Sequence, residues 1–301
     1  MTNHTTAAAP APQAAPHPAS RLPHPGRQRL QLQRWAAALA LAVLLALIAF
    51  PFYWAVVASF TPEATLFRQP SLWPRELILD HYRALFRERE FWVPIRNSLV
   101  VAGATTLLCV TLGAFAAYAL ARLRFRGRGA ILAFILAVTM FPQISIVSPL
   151  YMLLRALRLI NTYPGLILPY VTFAMPLSVW LLVGFFRQLP ADLEEAALVD
   201  GASRWQSFTR VILPLAAPGL ATTAILTFIY CWNEFLFALS FTLGPERQTV
   251  PVAIALFRGQ YQVPWGEILA ASVIATAPVA LIVLLFQRRI VQGLTAGAVK
   301  G

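Results

Sequence analysis

The chain has 301 residues, of which 58% are hydrophobic and 12% are charged. Soluble domains typically carry about 25% charged residues, so this composition argues against an ordinary soluble protein and favours a chain embedded in a lipid bilayer. Lys and Arg number 24 against 12 acids, which gives a net charge of +12. No basic face interleaved with exposed aromatic residues accompanies that charge, so the sequence does not predict nucleic-acid binding.

The N-terminal segment differs in composition from the rest of the chain. Residues 1–29 are mostly Ala, Pro, Gln and His with scattered Arg. Such a segment cannot bury enough apolar surface to offset the entropy of folding, so we predict a disordered cytoplasmic tail over residues 1–34. A cleaved signal peptide fits poorly, because the apolar run starts late and is too long.

Six long windows that contain no Asp, Glu, Lys or Arg follow this tail. A membrane-spanning helix needs about 20 apolar residues, and its backbone groups must be satisfied internally because lipid offers no hydrogen-bond partners. The sequence therefore predicts an all-α polytopic membrane domain over residues 35–301. Its six transmembrane helices are expected near residues 35–60, 97–121, 130–154, 163–186, 215–240 and 268–286.

The arginines predict the orientation of these helices. The loop between the second and third spans contains no acid and four arginines: Arg122, Arg124, Arg126 and Arg128. Positive residues in short loops favour the cytoplasm, so both termini are expected there. The third and fourth spans also carry several prolines, which kink helices and free backbone carbonyls. Such kinks suit a gated pathway, although proline is also common in membrane helices without one.

A polar loop over residues 190–214 separates two of the apolar runs. Asp192 can open a helix there, with Glu194 and Glu195 in its first turn, where acids suit the helix dipole. Ala196 and Ala197 keep one face of this helix slim, so another chain could approach closely. The loop is therefore expected to begin with a short helix outside the bilayer.

A turn and a second short helix are predicted to complete this loop. Asp200 and Gly201 are typical turn residues, and Gly201 tolerates a positive φ. Ser203 followed by Gln206 matches a capping box that starts a helix, and Pro214 is expected to limit that helix. A helix–turn–helix of this kind can act as a rigid handle on the spans, or it can be an ordinary solvated loop.

A second polar motif, Trp232-Asn233-Glu234-Phe235, lies in the fifth predicted span. An ionisable side chain there is costly unless it faces water or a partner. Asn and Glu can hydrogen-bond sugar hydroxyls, and aromatic rings offer a flat apolar face to a sugar ring. These four residues are therefore predicted to border the substrate path. The alternative is that Glu234 sits at the water interface and caps local structure.

Neither a metal site nor a cofactor site is predicted. Cys109 and Cys231 fall inside apolar windows, where packing is their expected role. A phosphate-cradling Walker loop needs a Lys after glycine, and the only Lys is Lys300. No catalytic residue is predicted, and the chain has no ATP site of that type.

Several motifs together resemble the permease subunits of bacterial ABC importers, in particular the six-span, maltose-type carbohydrate branch. The signature loop of that family is matched by Glu195-Ala196-Ala197, Gly201 and Leu213-Pro214 at the usual spacing, with Val211 in place of the usual Ile. Further similar segments are Ala119–Phe125, Ile160–Tyr163, Trp232–Phe237 and Gly293–Gly297.

The resemblance implies an ABC importer type I permease fold in the bacterial inner membrane. It also implies four kinds of contact: membrane lipid, a second permease subunit in a heterodimer, two ABC ATPase subunits and an extracytoplasmic sugar-binding protein. The tail Gln292–Gly301, a small-residue segment expected to be flexible, would reach into the ATPase dimer. The ATPase-coupling residues would be Glu194, Glu195, Ala196, Ala197, Asp200, Gly201, Leu213 and Pro214.

The function predicted is therefore ATP-driven import of a sugar, with a maltose- or trehalose-like oligosaccharide suggested by the branch. A proton-coupled secondary transporter of small polar solutes is the main alternative. It would need ionisable residues within the spans, and Glu234 alone gives little support for that. A membrane enzyme is a further alternative, for which the acids at residues 192–200 are the only candidates.

Overall fold

The computed structural model describes residues 25–68, 72–73, 76–257 and 263–298. Residues 1–24 of the predicted tail lie outside this part of the chain. The chain divides into two compact units, residues 1–52 and residues 53–301.

Helix α1 (Pro25–Ser59) makes up the described part of the first unit and ends in the second. It begins earlier than the predicted boundary at residue 35, so residues 25–34 are helical in this structure and not part of a disordered tail. Proline is favoured in the first turn of a helix, because a backbone N–H at that position would have no acceptor within the helix. Residues Gln31–Ser59 are long and apolar enough to cross a membrane.

Helices also make up the second unit, with a π-helical turn at Phe208–Ile212. In chain order the helices are α2 (Glu63–Leu66), α3 (Asp80–Arg87), α4 (Trp92–Arg122), α5 (Arg128–Thr139), α6 (Gln143–Ala156), α7 (Tyr163–Gln188), α8 (Asp192–Val199), α9 (Arg204–Ser207), α10 (Leu213–Leu215), α11 (Ala217–Trp232), α12 (Leu236–Phe241), α13 (Val250–Ala255) and α14 (Trp265–Ala298).

Four to six helices of the described chain have the length and composition to cross a membrane. Four do so as single helices, namely parts of α1 and α14 together with all of α4 and α7. Two further pairs qualify if each bent pair is one span. Helices α5 and α6 meet at 93°, and the run from Arg204 to Leu215 meets α11 at 72°. The upper number equals the six spans predicted from the sequence.

Two predicted boundaries differ from the structure because local chemistry interrupts the helices. The third predicted span is broken between Thr139 and Gln143, where Pro142 cannot donate a backbone hydrogen bond. The fifth predicted span, 215–240, ends its first helix at Trp232, and α12 begins only at Leu236. The Glu234 carboxylate accepts the backbone N–H groups that start α12, so the chain turns between these helices.

Pro214 does not limit the second helix of the polar loop, contrary to the prediction. The helical run continues through it to Leu215, and the break lies at Ala216. Pro214 stands in the first turn of α10, where its missing N–H is tolerated. The π-helical turn lies just before it, and the Leu213 N–H donates to the Phe208 carbonyl.

Helices α4 and α7 pack along one another at the centre of the second unit. Cys109, Cys231 and Tyr170 lie buried in one core cluster with Phe237 and Phe241. A second cluster towards the other end of α7 contains residues of the polar loop. In lipid such packing depends on close van der Waals contact rather than on exclusion of water.

The segment before α4 is tied to the start of α14. The carboxylate of Glu63 accepts the backbone N–H groups of Trp265 at 2.9 Å and of Gly266 at 3.0 Å. Arg89 and Glu267 form an ion pair at 2.8 Å. The beginning of α14 is therefore held by side chains from the segment between α1 and α4.

The chain between α12 and α13 is held by side chains from two other elements. Buried Asn97 donates to the carbonyls of Glu246 and Gln248 at 3.0 and 2.9 Å, and it accepts from Tyr163 at 2.7 Å. Asn161 donates to the Glu246 carboxylate at 2.5 Å. This bond holds the pKa of the Glu246 carboxyl below its usual value.

The C-terminal segment is helical in the part that the structure describes. Helix α14 continues through Gly293 to Ala298, so residues 292–298 of the tail expected to be flexible are helical. Residues 299–301 lie outside the described chain.

Candidate functional site

The polar loop folds as a helix, a turn and a second helix. Helix α8 carries three acids in its first turn, and it ends at a turn in which Gly201 has φ +85°. An L-residue with a side chain is strained at that angle, whereas glycine is not. The Ala202 N–H closes the turn by donating to the Ala197 carbonyl at 3.0 Å. The turn predicted at Asp200-Gly201 is present.

The capping box predicted for the second helix is confirmed. The Gln206 N–H donates to the Ser203 hydroxyl at 3.2 Å, and the Ser203 N–H donates to the Gln206 side-chain oxygen at 2.8 Å. This reciprocal pair satisfies two donors at the start of α9. It fixes the direction in which α9 leaves the turn.

Glu194 anchors α8 to the rest of the molecule. Its side chain is buried and accepts a hydrogen bond from the Tyr118 hydroxyl at 2.6 Å. The Arg122 guanidinium lies 3.9 Å from the other carboxylate oxygen and also donates to the Leu189 carbonyl at 2.6 Å. Both partners come from the last two turns of α4. Sequence reasoning missed Tyr118 and Arg122 as members of this site.

An aromatic cluster attaches α9 to the same end of α4. Phe208 lies 4.6 Å from Tyr118 and 5.5 Å from Phe115, between ring centroids. Trp205 stacks on Phe115 at 5.8 Å, and Phe186 of α7 completes the cluster. Aromatic pairs at these separations attract one another beyond simple burial. The two short helices are therefore joined to α4 and α7 through a packed contact.

The opposite side of the two short helices is exposed in this chain. Glu195 and Ala196 are exposed, and Val199 at the end of α8 is 86% exposed. Trp205 keeps 62% of its surface exposed although one face stacks on Phe115. Glu194 and Glu195 are thus adjacent in sequence but face different surroundings. The remaining predicted coupling residues vary in exposure: Ala197 and Leu213 are half-buried, and Asp200, Gly201 and Pro214 are exposed.

The second predicted site, Trp232–Phe235, forms the turn between α11 and α12. Trp232 is buried, donates to the Ala275 carbonyl at 3.1 Å and stacks on Phe228. Glu234 is also buried, and its carboxylate accepts the N–H groups of Phe237 at 2.7 Å and Ala238 at 3.1 Å. The capping part of the alternative interpretation is therefore observed, whereas the burial of Glu234 in this chain differs from the expected place at the water interface.

The other two residues of this turn are accessible. Asn233 is exposed, and its side chain donates to the Ile229 carbonyl at 2.8 Å. Phe235 retains 39% of its surface. The motif therefore alternates between buried residues that shape the turn and exposed residues that could meet a solute. Their position along a substrate path stays a prediction.

Comparison with known proteins identifies the family. Residues 109–296 match the family described as "Binding-protein-dependent transport system inner membrane component". The chain belongs to this family. The matched residues include both polar sites and four of the five regions that qualify as spans after α1.

Two relatives agree with this membership, and one solved structure shares the fold. The chain is 46% identical to the trehalose/maltose transport system permease protein MalG of Thermococcus litoralis, over 86% of this chain and 95% of that protein. It is 48% identical to the trehalose transport system permease protein SugB of Mycobacterium tuberculosis, over 89% and 97%. A bacterial ABC transporter that imports the acidic polysaccharide alginate has the same fold, with a TM-score of 0.76 at 20% identity, over 89% of this chain and 99% of that chain.

In this inner-membrane component, replacing Glu234 by Ala is expected to disturb the turn between α11 and α12. Loss of the carboxylate leaves the Phe237 and Ala238 N–H groups without their acceptor, which costs about 1–2 kcal/mol in the free energy of unfolding. The thermal midpoint of the purified protein should fall accordingly. Exposed Asn233→Ala is the neighbouring control, and an equal loss of stability in both variants would contradict the capping role.

Proposed function

We propose that this chain is one of two permease subunits of an ATP-driven importer for a sugar of the trehalose or maltose type. The observation that carries the proposal is the pair of short helices α8 and α9. They are anchored to α4 and α7 on one side and exposed on the other. The names of the relatives, trehalose and trehalose/maltose permeases, support the choice of sugar.

The exposed side of α8 and α9 is the surface at which a separate ATPase would bind. Glu195 and the row of small and apolar side chains at Ala196 and Val199 would contact it, with Asp200 and Gly201 shaping the turn. Movement of the ATPase would then be transmitted through Glu194 to α4. ATP hydrolysis would occur in the partner chain, and this chain would perform no catalysis.

The wider assembly follows from the same proposal. Two ATPase subunits would bind on the cytoplasmic side, and both termini would lie there, in keeping with the arginine-rich loop at residues 122–128. A second permease subunit would complete the path, and an extracytoplasmic sugar-binding protein would deliver the substrate. The family description, which names dependence on a binding protein, supports a partner of that kind. Alternation between inward-facing and outward-facing states would carry the sugar across, past the turn at Trp232–Phe235.

Purification tests this proposal. When the chain is expressed with the neighbouring subunits of its transport system, an ATPase chain should copurify with it. ATP hydrolysis by the complex in lipid nanodiscs should rise when trehalose-loaded binding protein is added. A complex that contains no ATPase chain would contradict the proposal. So would a complex whose rate of ATP hydrolysis does not change when loaded binding protein is added. Binding protein without sugar is the matched control.

A further inference from the structure

The break between α5 and α6 creates an unusual backbone environment inside a predicted span. Helix α5 begins at Arg128 and has 12 residues, so it covers ~18 Å, which is less than the hydrocarbon thickness of about 30 Å. With the start of α5 at the membrane edge, as the arginine-rich loop predicts, the 93° bend that follows α5 would lie within the hydrocarbon layer. Non-helical backbone is tolerated at that depth only where it is covered by protein or lines a water-filled cavity.

A cavity of about 440 Å³ opens at this bend between α5, α6, α7 and α11. Its walls include Thr139, Gln143, Phe173, Trp180 and Tyr230. Small-molecule sites commonly enclose about 300–1,000 Å³, so the cavity, which we call the elbow cavity, has the size of a ligand site. Trp180 lines the cavity and is 48% exposed in this chain.

Polar groups line the elbow cavity where an apolar side chain would be expected in lipid. The Gln143 amide donates to the Tyr230 hydroxyl at 2.6 Å. The phenol keeps its own proton to donate, and the Gln143 side-chain oxygen can accept. The first turn of α6 also begins here, and the leading N–H groups of a helix have no acceptor within it. The cavity thus offers donors and acceptors side by side.

The chemistry of the lining selects an uncharged, hydroxyl-rich ligand. Phe173 and Trp180 provide flat apolar surfaces of the kind that pack against the C–H face of a sugar ring. Gln143 and Tyr230 can exchange hydrogen bonds with its hydroxyls. The described lining contains no acid and no basic side chain to balance a charged sugar.

We propose that the elbow cavity is a binding subsite for a neutral disaccharide on this permease subunit. The inference rests on the proposed function and adds to it the position and the charge selectivity of a subsite. Trp180 and Phe173 hold the ring, and Gln143 and Tyr230 bind its hydroxyls. This subsite differs from the turn at Trp232–Phe235, the place where the sequence predicted the substrate path.

Protection of an introduced thiol tests the proposal in the complete importer, with both permeases and both ATPases in nanodiscs. A Thr139→Cys variant is treated with a water-soluble maleimide, with and without trehalose, and Arg126→Cys in the exposed loop between α4 and α5 is the control. Cys109 and Cys231 are buried, so the unsubstituted chain supplies the background. Trehalose should slow labelling of Thr139→Cys about tenfold when the subsite is about nine-tenths occupied, and should leave Arg126→Cys unchanged.

Two further comparisons give the chemistry of the occupant. Gln143→Leu or Trp180→Leu, introduced beside Thr139→Cys, should abolish most of the protection, whereas Trp92→Leu, about equally exposed outside the cavity, should not. Glucuronic acid, a charged sugar, should protect poorly. Equal protection by glucuronic acid and by trehalose would overturn the neutral selectivity.

Each remaining outcome separates the subsite from the proposed function. A Thr139→Cys variant that never reacts would show that lipid or the second permease fills the cavity, and would overturn the subsite. Undiminished protection in both leucine variants would do the same. If the parent imports trehalose but trehalose gives no protection, the subsite fails and the function stands. If the parent complex imports no trehalose, the proposed function fails and the subsite fails with it.

Discussion

The Glu194→Ala variant is expected to lose both stability and transport, whereas the adjacent Glu195→Ala variant should lose transport alone. Removing the buried carboxylate leaves the Tyr118 hydroxyl and the Arg122 guanidinium without their shared partner. We expect a cost of about 2–3 kcal/mol in the free energy of unfolding, because buried hydrogen bonds to charged groups are expensive to break. Glu195 is exposed, and substitutions at such positions usually change stability by about 0.5 kcal/mol or less.

Two measurements on the purified complex separate these effects. The thermal midpoint should fall for Glu194→Ala and stay near the parent value for Glu195→Ala. Stimulation of ATP hydrolysis by loaded binding protein should fall in both. Equal thermal midpoints for the two variants would contradict the anchoring role of Glu194. Parental stimulation in Glu195→Ala would remove that residue from the proposed ATPase-binding surface on α8 and α9.

Gly201→Val should reduce trehalose uptake about tenfold while the membrane domain still folds. The glycine has φ +85°, and a β-branched residue at a left-handed angle costs about 1–2 kcal/mol. A Cβ atom at this position would meet nothing within 4 Å, so the expected effect comes from backbone conformation and not from a collision. Relief of the strain would reorient α9 relative to α8 and disturb the surface that we propose binds the ATPase.

Gly201→Asn is the matched control, because asparagine adopts left-handed angles more readily than other residues with side chains. Its uptake should stay close to that of the parent. Uptake of radiolabelled trehalose and the amount of ATPase that copurifies are measured for both variants. Parental uptake in Gly201→Val would show that the turn conformation is irrelevant to coupling.

The long helices were predictable because lipid imposes a simple rule on sequence. A span must be apolar over its length, so charge-free windows located α4 and α7 closely. A charge-free window does not show where a helix within it is interrupted, because Met140, Phe141 and Pro142 are uncharged like the helices beside them. The prolines of the third span predicted a kink there. Window composition gives neither its position at Pro142 nor its angle of 93°.

The polar loop was predictable where its determinants are local. Ser203 and Gln206 lie three residues apart and cap each other, so their pattern is readable in the sequence. The anchor of the loop is different, because Tyr118 and Glu194 are separated by 76 positions along the chain. The residues next to Tyr118 and Glu194 in the sequence give no sign that the two side chains pair. The sequence alone therefore could not distinguish buried Glu194 from exposed Glu195.

Trehalose accumulation in membrane vesicles that contain the complete transport system tests most directly whether this chain serves an ATP-driven importer. Vesicles are loaded with ATP or with ADP, binding protein and labelled trehalose are added outside, and a protonophore is added to half of the samples. We predict accumulation that requires internal ATP and is unaffected by the protonophore. Accumulation that proceeds with ADP and collapses with the protonophore would contradict it and would favour a proton-coupled transporter.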